Sequence, residues 1–438
     1  MKLGDTPLSH LLYADDLVLI STSKNGLNNC LAKLSEFCGK WDLELNYKKS
    51  EVVIFNPSGR LLSGYLSQFC YRGKPLKVVK SYCYLGIEFF CSGTFRIGRM
   101  NIMEKARKAM SPLMSIIPNF QISCAKSMDL FNSFIKPIAL YNSENMTHLT
   151  LHQIQAIEEN KTTLWEYMSK SEMNILHQKF LKYILGVRRN CSNMATLGEL
   201  GEYPLHIHGL ISLLTFWHRI AQRNGDTLVR KALTLLESNG SNSSEWLATV
   251  KFLLRFLDMD RYYNYPADIS AVKFKSLCMT KLKESFVQFW TGILNRDTSV
   301  EGRSNKLKFY SSVKSVFERE SYLENVSDFN LRKNIMKFRC SDHNLLIESG
   351  RHKKLKREER ICKVCNTGIE DEVHFLISCP LYFDLRCRYL NGVHENDISR
   401  VLKCADKPMA FRIGNFIMKA MKLRKETTDS LQNLTSPH

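Results

Sequence analysis

Residues 8–21 read Leu-Ser-His-Leu-Leu-Tyr-Ala-Asp-Asp-Leu-Val-Leu-Ile-Ser, and this stretch decides how the first part of the chain folds. One short apolar run ends at Tyr13, a second begins at Leu17, and a polar tip lies between them. Short apolar runs on either side of a polar tip are typical of a β-hairpin. The sequence therefore predicts a hairpin that carries Asp15 and Asp16 at its turn.

Adjacent carboxylates at a rigid hairpin tip suit the binding of divalent cations. Mg2+ prefers hard oxygen ligands, usually one or two carboxylates together with substrate phosphates. Nucleotidyl transfer by two such ions needs carboxylates that are held at one end of a sheet. The alternative is a solvated turn, in which Asp is favoured because it hydrogen-bonds its own backbone. By itself, the sequence of residues 13–16 leaves both interpretations open.

The hydrophobic period changes after the hairpin. Apolar residues then recur at three- and four-residue intervals, which predicts an amphipathic helix over residues 24–44. Its inward stripe consists of Leu27, Leu31, Leu34, Cys38, Trp41 and Leu45. Residues 51–55 and 81–90 are predicted as two strands, because they are rich in β-branched and aromatic residues and are followed by turn residues. Residues 1–95 are thus predicted to form a small, incomplete α+β unit.

From residue 97 to about residue 340 the pattern is helical. The predicted helical stretches are residues 98–117, 123–141, 150–186, 205–237, 245–257 and 272–294. No repeat of fixed period is found, which argues against a solenoid. Polar segments rich in Gly and Ser, residues 238–244 and 297–305, are the candidate linkers.

The composition predicts a folded chain with a polyanionic partner. Hydrophobic residues make up 44% of the 438 positions and charged residues 24%, which is a globular composition. The formal net charge is +19, and a surplus of that size most often serves nucleic acid. The alternative is a solvated basic surface without a specific partner.

Neither a membrane partner nor export is predicted. The longest apolar runs are far shorter than the roughly 20 residues of a membrane-spanning helix. Asp15 and Asp16 interrupt the one early apolar stretch, which a secretory signal would not tolerate. We therefore expect a cytoplasmic or nuclear protein that is not secreted, with its 14 cysteines reduced.

Four residues near the end of the chain have the spacing C-x2-C-x8-H-x4-C, namely Cys362, Cys365, His374 and Cys379. A C-x2-C turn brings two thiolates to one ion, and a His and a Cys about one helical turn apart complete a tetrahedron. This is the closed geometry of a structural zinc. The alternative is four buried, unligated residues, because free cysteines often pack as small hydrophobes. Glu372 is not required as a ligand, and Cys387 and Cys404 are predicted to be spare thiols.

A basic run precedes the cysteine cluster, and zinc modules flanked in this way often bind RNA. The candidate nucleic-acid-binding residues of this run are Arg351, Lys353, Lys354, Lys356 and Arg357. In the helical middle, Arg188 and Arg189 could also meet phosphates. The alternative for any one of these residues is a solvated basic face.

The order of the N-terminal motifs resembles the back half of a reverse-transcriptase palm, and more narrowly that of non-LTR (LINE-type) retrotransposon polymerases. After Tyr13-Ala14-Asp15-Asp16 and the helix with Trp41 come Leu-Asn-Tyr-Lys-Lys-Ser at residues 45–50 and Tyr-Cys-Tyr-Leu-Gly at residues 82–86. The resemblance implies Mg2+ on Asp15, with Asp16 as its neighbour, and Lys49 facing the triphosphate. It implies a primer grip formed by Tyr84, Leu85 and Gly86. The implied partners are an RNA template and a DNA primer.

Three later segments are similar to the same family. Residues 135–144 (Ile-Lys-Pro-Ile-Ala-Leu-Tyr-Asn-Ser-Glu) and 198–205 (Gly-Glu-Leu-Gly-Glu-Tyr-Pro-Leu) resemble its thumb and post-thumb region, with departures at Met146 and Glu202. Residues 362–382 resemble its C-terminal zinc-binding domain. The resemblance covers roughly residues 8–205 and 340–382 and leaves residues 215–340 unassigned.

The expected fold class is α+β at the N-terminus as a partial palm, then a mostly α-helical thumb and connector, then a small zinc-binding module. The regions expected are residues 1–95 as partial palm, 96–215 as thumb and post-thumb region, 216–340 as connector, and 341–438 as zinc-binding nucleic-acid module with C-terminal helices.

The resemblance also implies what a complete polymerase would need. The family requires an aspartate from an earlier palm strand and a fingers domain, which the twelve residues before Tyr13 cannot hold. Ligands of a two-metal site act as a unit, so we expect a polypeptide that does not polymerise by itself and lacks an N-terminal polymerase portion. A non-catalytic nucleic-acid-binding protein and a helical interaction protein are the alternative functions.

Overall fold

The computed structural model describes residues 1–61, 64, 68–238, 244–296, 307–394, 397–403 and 406–435, with side chains to residue 430. Within the predicted linkers, residues 239–243 and 297–305 lie outside the described residues, as does Cys404.

Within the described residues, the strands are short and lie before residue 91. They are β1 (Lys2–Leu3), β2 (Thr6–Pro7), β3 (His10–Tyr13), β4 (Asp16–Leu19), β5 (Glu51–Val53), β6 (Cys70–Tyr71), β7 (Lys74–Pro75), β8 (Lys77–Val79), β9 (Ser81–Tyr84) and β10 (Ile87–Phe90). They pair two by two. β1 with β2, β3 with β4, β6 with β7 and β9 with β10 are antiparallel pairs, whereas β5 and β8 are parallel.

Helices form most of the rest. They are α1 (Lys24–Lys40), α2 (Arg96–Asn119), α3 (Cys124–Leu130), α4 (Lys136–Ala139), α5 (Ser143–Met146), α6 (Leu151–Glu158), α7 (Leu164–Met168), α8 (Glu172–Leu185), α9 (Asn193–Leu200), α10 (His206–Ala221), α11 (Leu228–Ser238), α12 (Glu245–Phe256), α13 (Arg261–Asn264), α14 (Ala271–Leu294), α15 (Lys308–Val313), α16 (Tyr322–Asn325), α17 (Phe329–Arg339), α18 (Leu346–His352), α19 (Phe383–Tyr389), α20 (Ile398–Leu402) and α21 (Lys407–Thr435). Within the described ranges, none of these helices is both long and apolar enough to cross a membrane.

The predicted fold class is confirmed. A small strand-containing N-terminal region precedes a chain that is mostly helical, with 60% helix. The predicted stretches 98–117, 245–257 and 272–294 correspond to α2, α12 and α14. The stretches 123–141 and 150–186 contain several shorter helices each, because turns at residues 159–163 and 169–171 interrupt the second. In the first, the π-helical segment Phe131–Ile135 joins α3 to α4.

Two sequence predictions about the N-terminal region are wrong, and positive φ angles explain both. Residues 81–90 form a hairpin rather than one strand, because Leu85 (φ 48°) and Gly86 (φ 78°) reverse the chain. α1 ends at Lys40, and Trp41 is 60% exposed instead of facing inward. Asp42 (φ 52°) turns the chain there, and the N–H of Leu43 donates to the carbonyl of Cys38, an arrangement that ends helices.

The chain divides into two compact units, each built from three segments. The first unit consists of Met1–Ala106, Ile138–Thr163 and His208–Thr280. Near its N-terminus, α1 packs on β5, β6 and β8 around a small core that contains Leu31, Val52, Phe69, Tyr71, Leu76 and Val78. The predicted stripe residues Leu27, Leu34 and Leu45 are partly buried against this core.

The second unit consists of Arg107–Pro137, Leu164–Ile207 and Lys281–His438. A charged pair lies at its centre. The guanidinium of Arg339, which is fully buried, donates to both carboxylate oxygens of Glu199, with Nη2 2.9 Å from Oε1 and Nε 3.2 Å from Oε2. The Tyr322 hydroxyl donates to Glu199 Oε2 at 2.7 Å. Arg339 Nη2 also lies 3.1 Å from the carboxylate of Glu320, and Nη1 donates to the carbonyl of Leu402.

This pair is stable in the interior because the neighbouring carboxylates keep Arg339 charged and every member of the group is hydrogen-bonded. Burial by itself would lower the pKa of Arg339, but the carboxylates of Glu199 and Glu320 raise it well above its usual value. Burial raises the pKa of Glu320, while Arg339 and Lys314 oppose that rise. Buried charges are tolerated when they are paired and their remaining hydrogen bonds are made. The pair therefore joins α9, α17 and α20 in one core.

Replacing Arg339 with Met should strongly destabilise the second unit, because Glu199 would remain as a buried charge without its partner. We expect a loss of about 3–5 kcal/mol in the free energy of unfolding, measured by urea denaturation followed by circular dichroism. Adding Glu199→Gln to Arg339→Met should recover part of this loss. The control is Arg296→Met, which breaks the exposed pair with Glu166 and should change stability by less than about 1 kcal/mol. Equal losses in the two Arg→Met variants would contradict the central role of this pair.

Candidate functional site

The predicted carboxylate hairpin is present. β3 and β4 pair in antiparallel register, with Tyr13 opposite Asp16 as the last pair before the turn. Ala14 adopts a positive φ of 51° in that turn, next to Asp15. Both carboxylates are exposed, so their oxygens can reach a cation in solution.

Several apolar side chains of the same hairpin are also exposed. Leu12 is 67% exposed and Tyr13 64% exposed. Two strands alone form only a marginally stable sheet in water, and large apolar side chains usually find cover. Among the described residues, β3 and β4 pair with each other and with no third strand. The hairpin therefore presents its carboxylates beside an open apolar face.

The hairpin tip is linked to two other predicted site segments, the Lys49 segment and β9. The Tyr82 hydroxyl on β9 donates to the backbone carbonyl of Lys49 at 3.0 Å. Burial raises the pKa of Tyr82, and the carboxylates of Asp16 and Glu51 raise it further. Asp16 therefore acts on a tyrosine of β9 that is hydrogen-bonded to the Lys49 segment.

Residues 84–86 form the tight turn of the β9/β10 hairpin, and Tyr141 holds this turn in place. The Tyr141 hydroxyl donates to the carbonyl of Leu85 at 2.7 Å. A Cβ on Gly86 would lie 3.5 Å from the Tyr141 ring, so the ring packs directly on the glycine. Tyr141 lies within residues 135–144, and no role for it is predicted from the sequence. The only feature that points to Tyr141 is its position within a segment that resembles the family.

The four predicted zinc ligands meet at one point. One ligand atom from each of Cys362, Cys365, His374 and Cys379 lies within 4.8 Å of all the others. His374 presents Nε2 to the group, 3.3 Å from Cys365 Sγ. Bonds of about 2.3 Å to sulfur and about 2.0 Å to nitrogen around a tetrahedral ion place such atoms about 3.5 Å apart. The donor set therefore fits zinc.

The protonation of the Cys/His cluster depends on whether a cation is bound. Burial raises the pKa of Cys379 to about 12 and also raises that of Cys362. Burial lowers the pKa of His374, which keeps its imidazole neutral and able to donate a lone pair. A thiol that coordinates a metal is deprotonated by the charge of the ion. A bound divalent cation would therefore convert these buried thiols to thiolates, whose negative charge it would offset.

An acidic run between the two halves of the cluster fixes its shape. Asp371 Oδ1 accepts from the backbone N–H of His374 at 3.0 Å, and its other oxygen pairs with Arg357. Glu370 receives two hydrogen bonds from Arg424 on α21, at 2.6 and 2.7 Å. The orientation of His374 and the docking of α21 therefore depend on neighbouring acidic residues.

Residues that follow α17 anchor the same region. Glu372 accepts from Ser341 at 2.7 Å and lies 3.0 Å from His343 Nε2, so it is occupied outside the Cys/His group. Asp342 binds the Nε of Arg188 at 2.7 Å. The predicted phosphate contact Arg188 is therefore held by a carboxylate, although its side chain is still 48% exposed.

The predicted basic residues divide into two groups. Arg351 pairs with Glu348 at 2.8 Å, and Arg357 pairs with Asp371 at 3.2 Å. Arg189 is exposed. The basic run also has three exposed lysines, Lys353, Lys354 and Lys356. The structure thus places Arg188, Arg351 and Arg357 in ion pairs and leaves the lysines facing solvent.

Comparison with known families gives one match. Residues 4–89 match the family model described as "Reverse transcriptase (RNA-dependent DNA polymerase)". This segment contains both hairpins, the carboxylates Asp15 and Asp16, and Lys49. The match supports an RNA-directed DNA polymerase family for this part of the chain, and such a domain implies nucleic-acid substrates. No curated protein and no solved structure matches the chain.

Replacing Tyr141 with Phe should loosen the β9/β10 turn, because the hydroxyl that binds Leu85 is lost while the ring on Gly86 remains. We expect a loss of about 0.5–1.5 kcal/mol in stability and faster amide hydrogen exchange across the hairpin turn. The control is Tyr265→Phe, since Tyr265 is an exposed tyrosine of the same unit. Unchanged exchange in the turn would rule out this role of Tyr141.

Proposed function

We propose that the chain is part of a non-LTR retrotransposon reverse transcriptase that engages an RNA template and a DNA primer. One observation carries this proposal. The carboxylate hairpin, the Lys49 segment and the β9/β10 hairpin come together within the segment that matches the reverse-transcriptase model. Three motifs that are separated in sequence would not be expected to meet in a chain whose carboxylates formed only a solvated turn.

In this proposal Asp15 and Asp16 hold Mg2+, Lys49 faces the triphosphate, and residues 84–86 contact the primer end. Bound Mg2+ would offset the charge of the reacting phosphates. An ammonium group near the leaving pyrophosphate stabilises the negative charge that develops there. Tyr141 has a supporting part, because it fixes the turn that would meet the primer.

The metal site is incomplete within the described residues. Among them, the ligand atoms of three or more His, Cys, Asp or Glu side chains converge at the Cys/His cluster. No third carboxylate converges with those of Asp15 and Asp16. Two metals need ligands on both sides. We therefore propose that the polypeptide binds nucleic acid but does not extend a primer alone. A non-catalytic nucleic-acid-binding protein derived from such an element is the second candidate, favoured by the same observation.

The zinc module would add an RNA-binding surface. Zinc on the Cys/His cluster would be structural, since all four positions of a tetrahedron are filled by protein ligands. The module carries three exposed lysines on its N-terminal side, Lys353, Lys354 and Lys356. Exposed ammonium groups release counterions when they meet phosphates, which makes affinity depend on salt.

We expect one zinc per chain, measured by elemental analysis of protein purified without chelators. Cys365→Ser should abolish stoichiometric zinc and lower the unfolding temperature, because ligation contributes folding free energy, on the order of 10 kcal/mol in isolated modules. Cys387→Ser is the control, since that thiol is exposed and outside the cluster. A folded, zinc-free wild-type chain would disprove the module.

The chain should bind a fluorescent single-stranded RNA with an affinity that falls steeply as salt increases. Changing Lys353, Lys354 and Lys356 to Gln should reduce the slope of log K against log salt by about 2, since each phosphate contact on a single strand contributes about 0.7. The matched control changes three other exposed lysines, Lys170, Lys273 and Lys275.

The same protein should give no magnesium-dependent extension of a DNA primer on an RNA template. Extension that disappears in Asp15→Ala would show that the chain is a complete polymerase and would contradict the proposed incompleteness. Affinity for RNA that does not change with salt would count against nucleic-acid binding altogether.

A further inference from the structure

Three cations from two helices surround one tyrosine in the second unit. Lys419, on α21, donates to the hydroxyl of Tyr389 at 2.5 Å, and its ammonium lies 5.0 Å from the centre of the Tyr389 ring. The guanidinium of Arg388, on α19, lies 5.6 Å from the same ring centre. Arg412 Nε, also on α21, donates to the backbone carbonyl of Tyr389 at 2.8 Å. We call Arg388, Tyr389, Arg412 and Lys419 the Tyr389 cluster.

The packing of α19 against α21 builds this cluster. α19 ends at Tyr389, and the last carbonyls of a helix have no partner within that helix. Arg412 supplies a donor to one of them. Arg412 and Lys419 are seven positions apart on α21, which is about two turns, so both lie on the helix face that meets the end of α19. Two helices, rather than a loop, therefore position the three cations.

None of the three cations forms an ion pair with a carboxylate within the part of the chain that the structure describes. The ion pairs at this end of the chain join other side chains, namely Arg400 to Asp397, Lys422 to Glu426 and Arg424 to Glu370. Asp384 lies about one turn before Arg388 on α19, yet these two described residues form no ion pair with each other. The cluster therefore has a local excess of positive charge.

The hydroxyl of Tyr389 can still donate a hydrogen bond. An ammonium group only donates, so the oxygen of Tyr389 accepts from Lys419 and its own hydrogen stays available. Among the described residues, this hydroxyl has no second partner. The hydrogen bond from Lys419 lowers the pKa of Tyr389, and the charges of Arg388 and Lys419 lower it further, against the effect of burial. The surroundings of the hydroxyl therefore favour negative charge.

The donors of the cluster can be reached from solution. Arg388 and Lys419 are exposed, and Tyr389 and Arg412 are half-buried. Tyrosine hydroxyls, ammonium groups and guanidinium groups are among the donors with which proteins hold the phosphate oxygens of nucleic acids. Hydrogen bonds from cationic donors to phosphate are also among the stronger ones in proteins. The arrangement therefore suits a phosphate group better than a neutral ligand.

We infer that the Tyr389 cluster holds a phosphodiester group of a bound RNA strand, through the hydroxyl of Tyr389, the ammonium of Lys419 and the guanidinium of Arg388. This inference rests on the proposed nucleic-acid function and adds a contact outside the palm and the basic run of residues 351–357. Arg412 is a positioning residue, because its side chain already binds the backbone of Tyr389. Contacts with phosphates position a strand without reading its sequence. The cluster would therefore contribute affinity and salt dependence but no base specificity.

The test compares Arg388→Gln/Lys419→Gln with the control Lys407→Gln/Lys425→Gln, which removes the same charge. The control residues are exposed lysines of α21, and the helical period places both about 120° around the helix from Lys419. Binding of a fluorescent single-stranded RNA is measured over a range of salt concentrations. The cluster variant should reduce the slope of log K against log salt by about 1.4, at about 0.7 per phosphate contact, and the control should change it little. Thermal unfolding of both variants checks that they fold.

A second variant removes a donor without removing charge. Tyr389→Phe keeps the ring beside both cations and loses the hydroxyl, so RNA affinity should fall roughly two- to tenfold, the equivalent of one hydrogen bond. The salt slope should stay the same, because no cation is lost. Tyr265→Phe is the matched control, since Tyr265 is an exposed tyrosine outside the cluster. The Tyr389→Phe variant decides the matter if the double variant does not fold.

Two results overturn the inference while the wild type binds RNA. One is an equal salt slope for the cluster variant and its control, and the other is wild-type affinity in Tyr389→Phe. A wild-type chain that does not bind RNA overturns the proposed function itself.

Discussion

The buried pair between Arg339 and Glu199 is the interaction on which the second unit depends. A charge without contact with water must be paired, and its remaining hydrogen bonds must be made. Tyr322 and Glu320 complete these bonds, so their segments must be close as well. The residues that follow Arg339 extend the same arrangement, because Ser341 and His343 bind Glu372 and Asp342 binds Arg188. The C-terminal end of α17 and the residues that follow it therefore hold together the core of the second unit and the residues that flank the Cys/His cluster.

The sequence predicted the regular elements well, because their signals are local. Hydrophobic periodicity predicted the β3/β4 hairpin and the long helices, because each hydrophobic pattern is contained within a short stretch of sequence. The errors at Trp41 and at residues 81–90 arose where Asp42 and Leu85 adopt positive φ. Such angles are uncommon for residues other than glycine, and composition gives little warning of them. The Arg339–Glu199 pair could not be predicted, because 140 positions separate its partners.

The same distinction between local and long-range signals applies to the candidate site. The four Cys/His residues lie within 18 positions of one another, so their spacing predicted the convergence that the structure has. Tyr141 and Leu85 are 56 positions apart, and Arg188 and Asp342, whose ion pair supports the same region, are 154 positions apart. No spacing rule applies to such assemblies. They follow from packing, which becomes visible only when the backbone path is known.

Arginine and lysine have different places in this chain, and the difference limits what a net charge of +19 can mean. The planar guanidinium offers several donors in a fixed geometry and is weakly hydrated, so it suits ion pairs within the fold. Arg188, Arg339 and Arg424 are used in this way. Lysine is strongly hydrated and mostly stays at the surface, as Lys353, Lys354 and Lys356 do. A cation that is already paired with a carboxylate has few counterions to release. The proposed contacts with phosphate therefore depend on exposed lysines such as Lys353, Lys354 and Lys356, and total charge overstates their number.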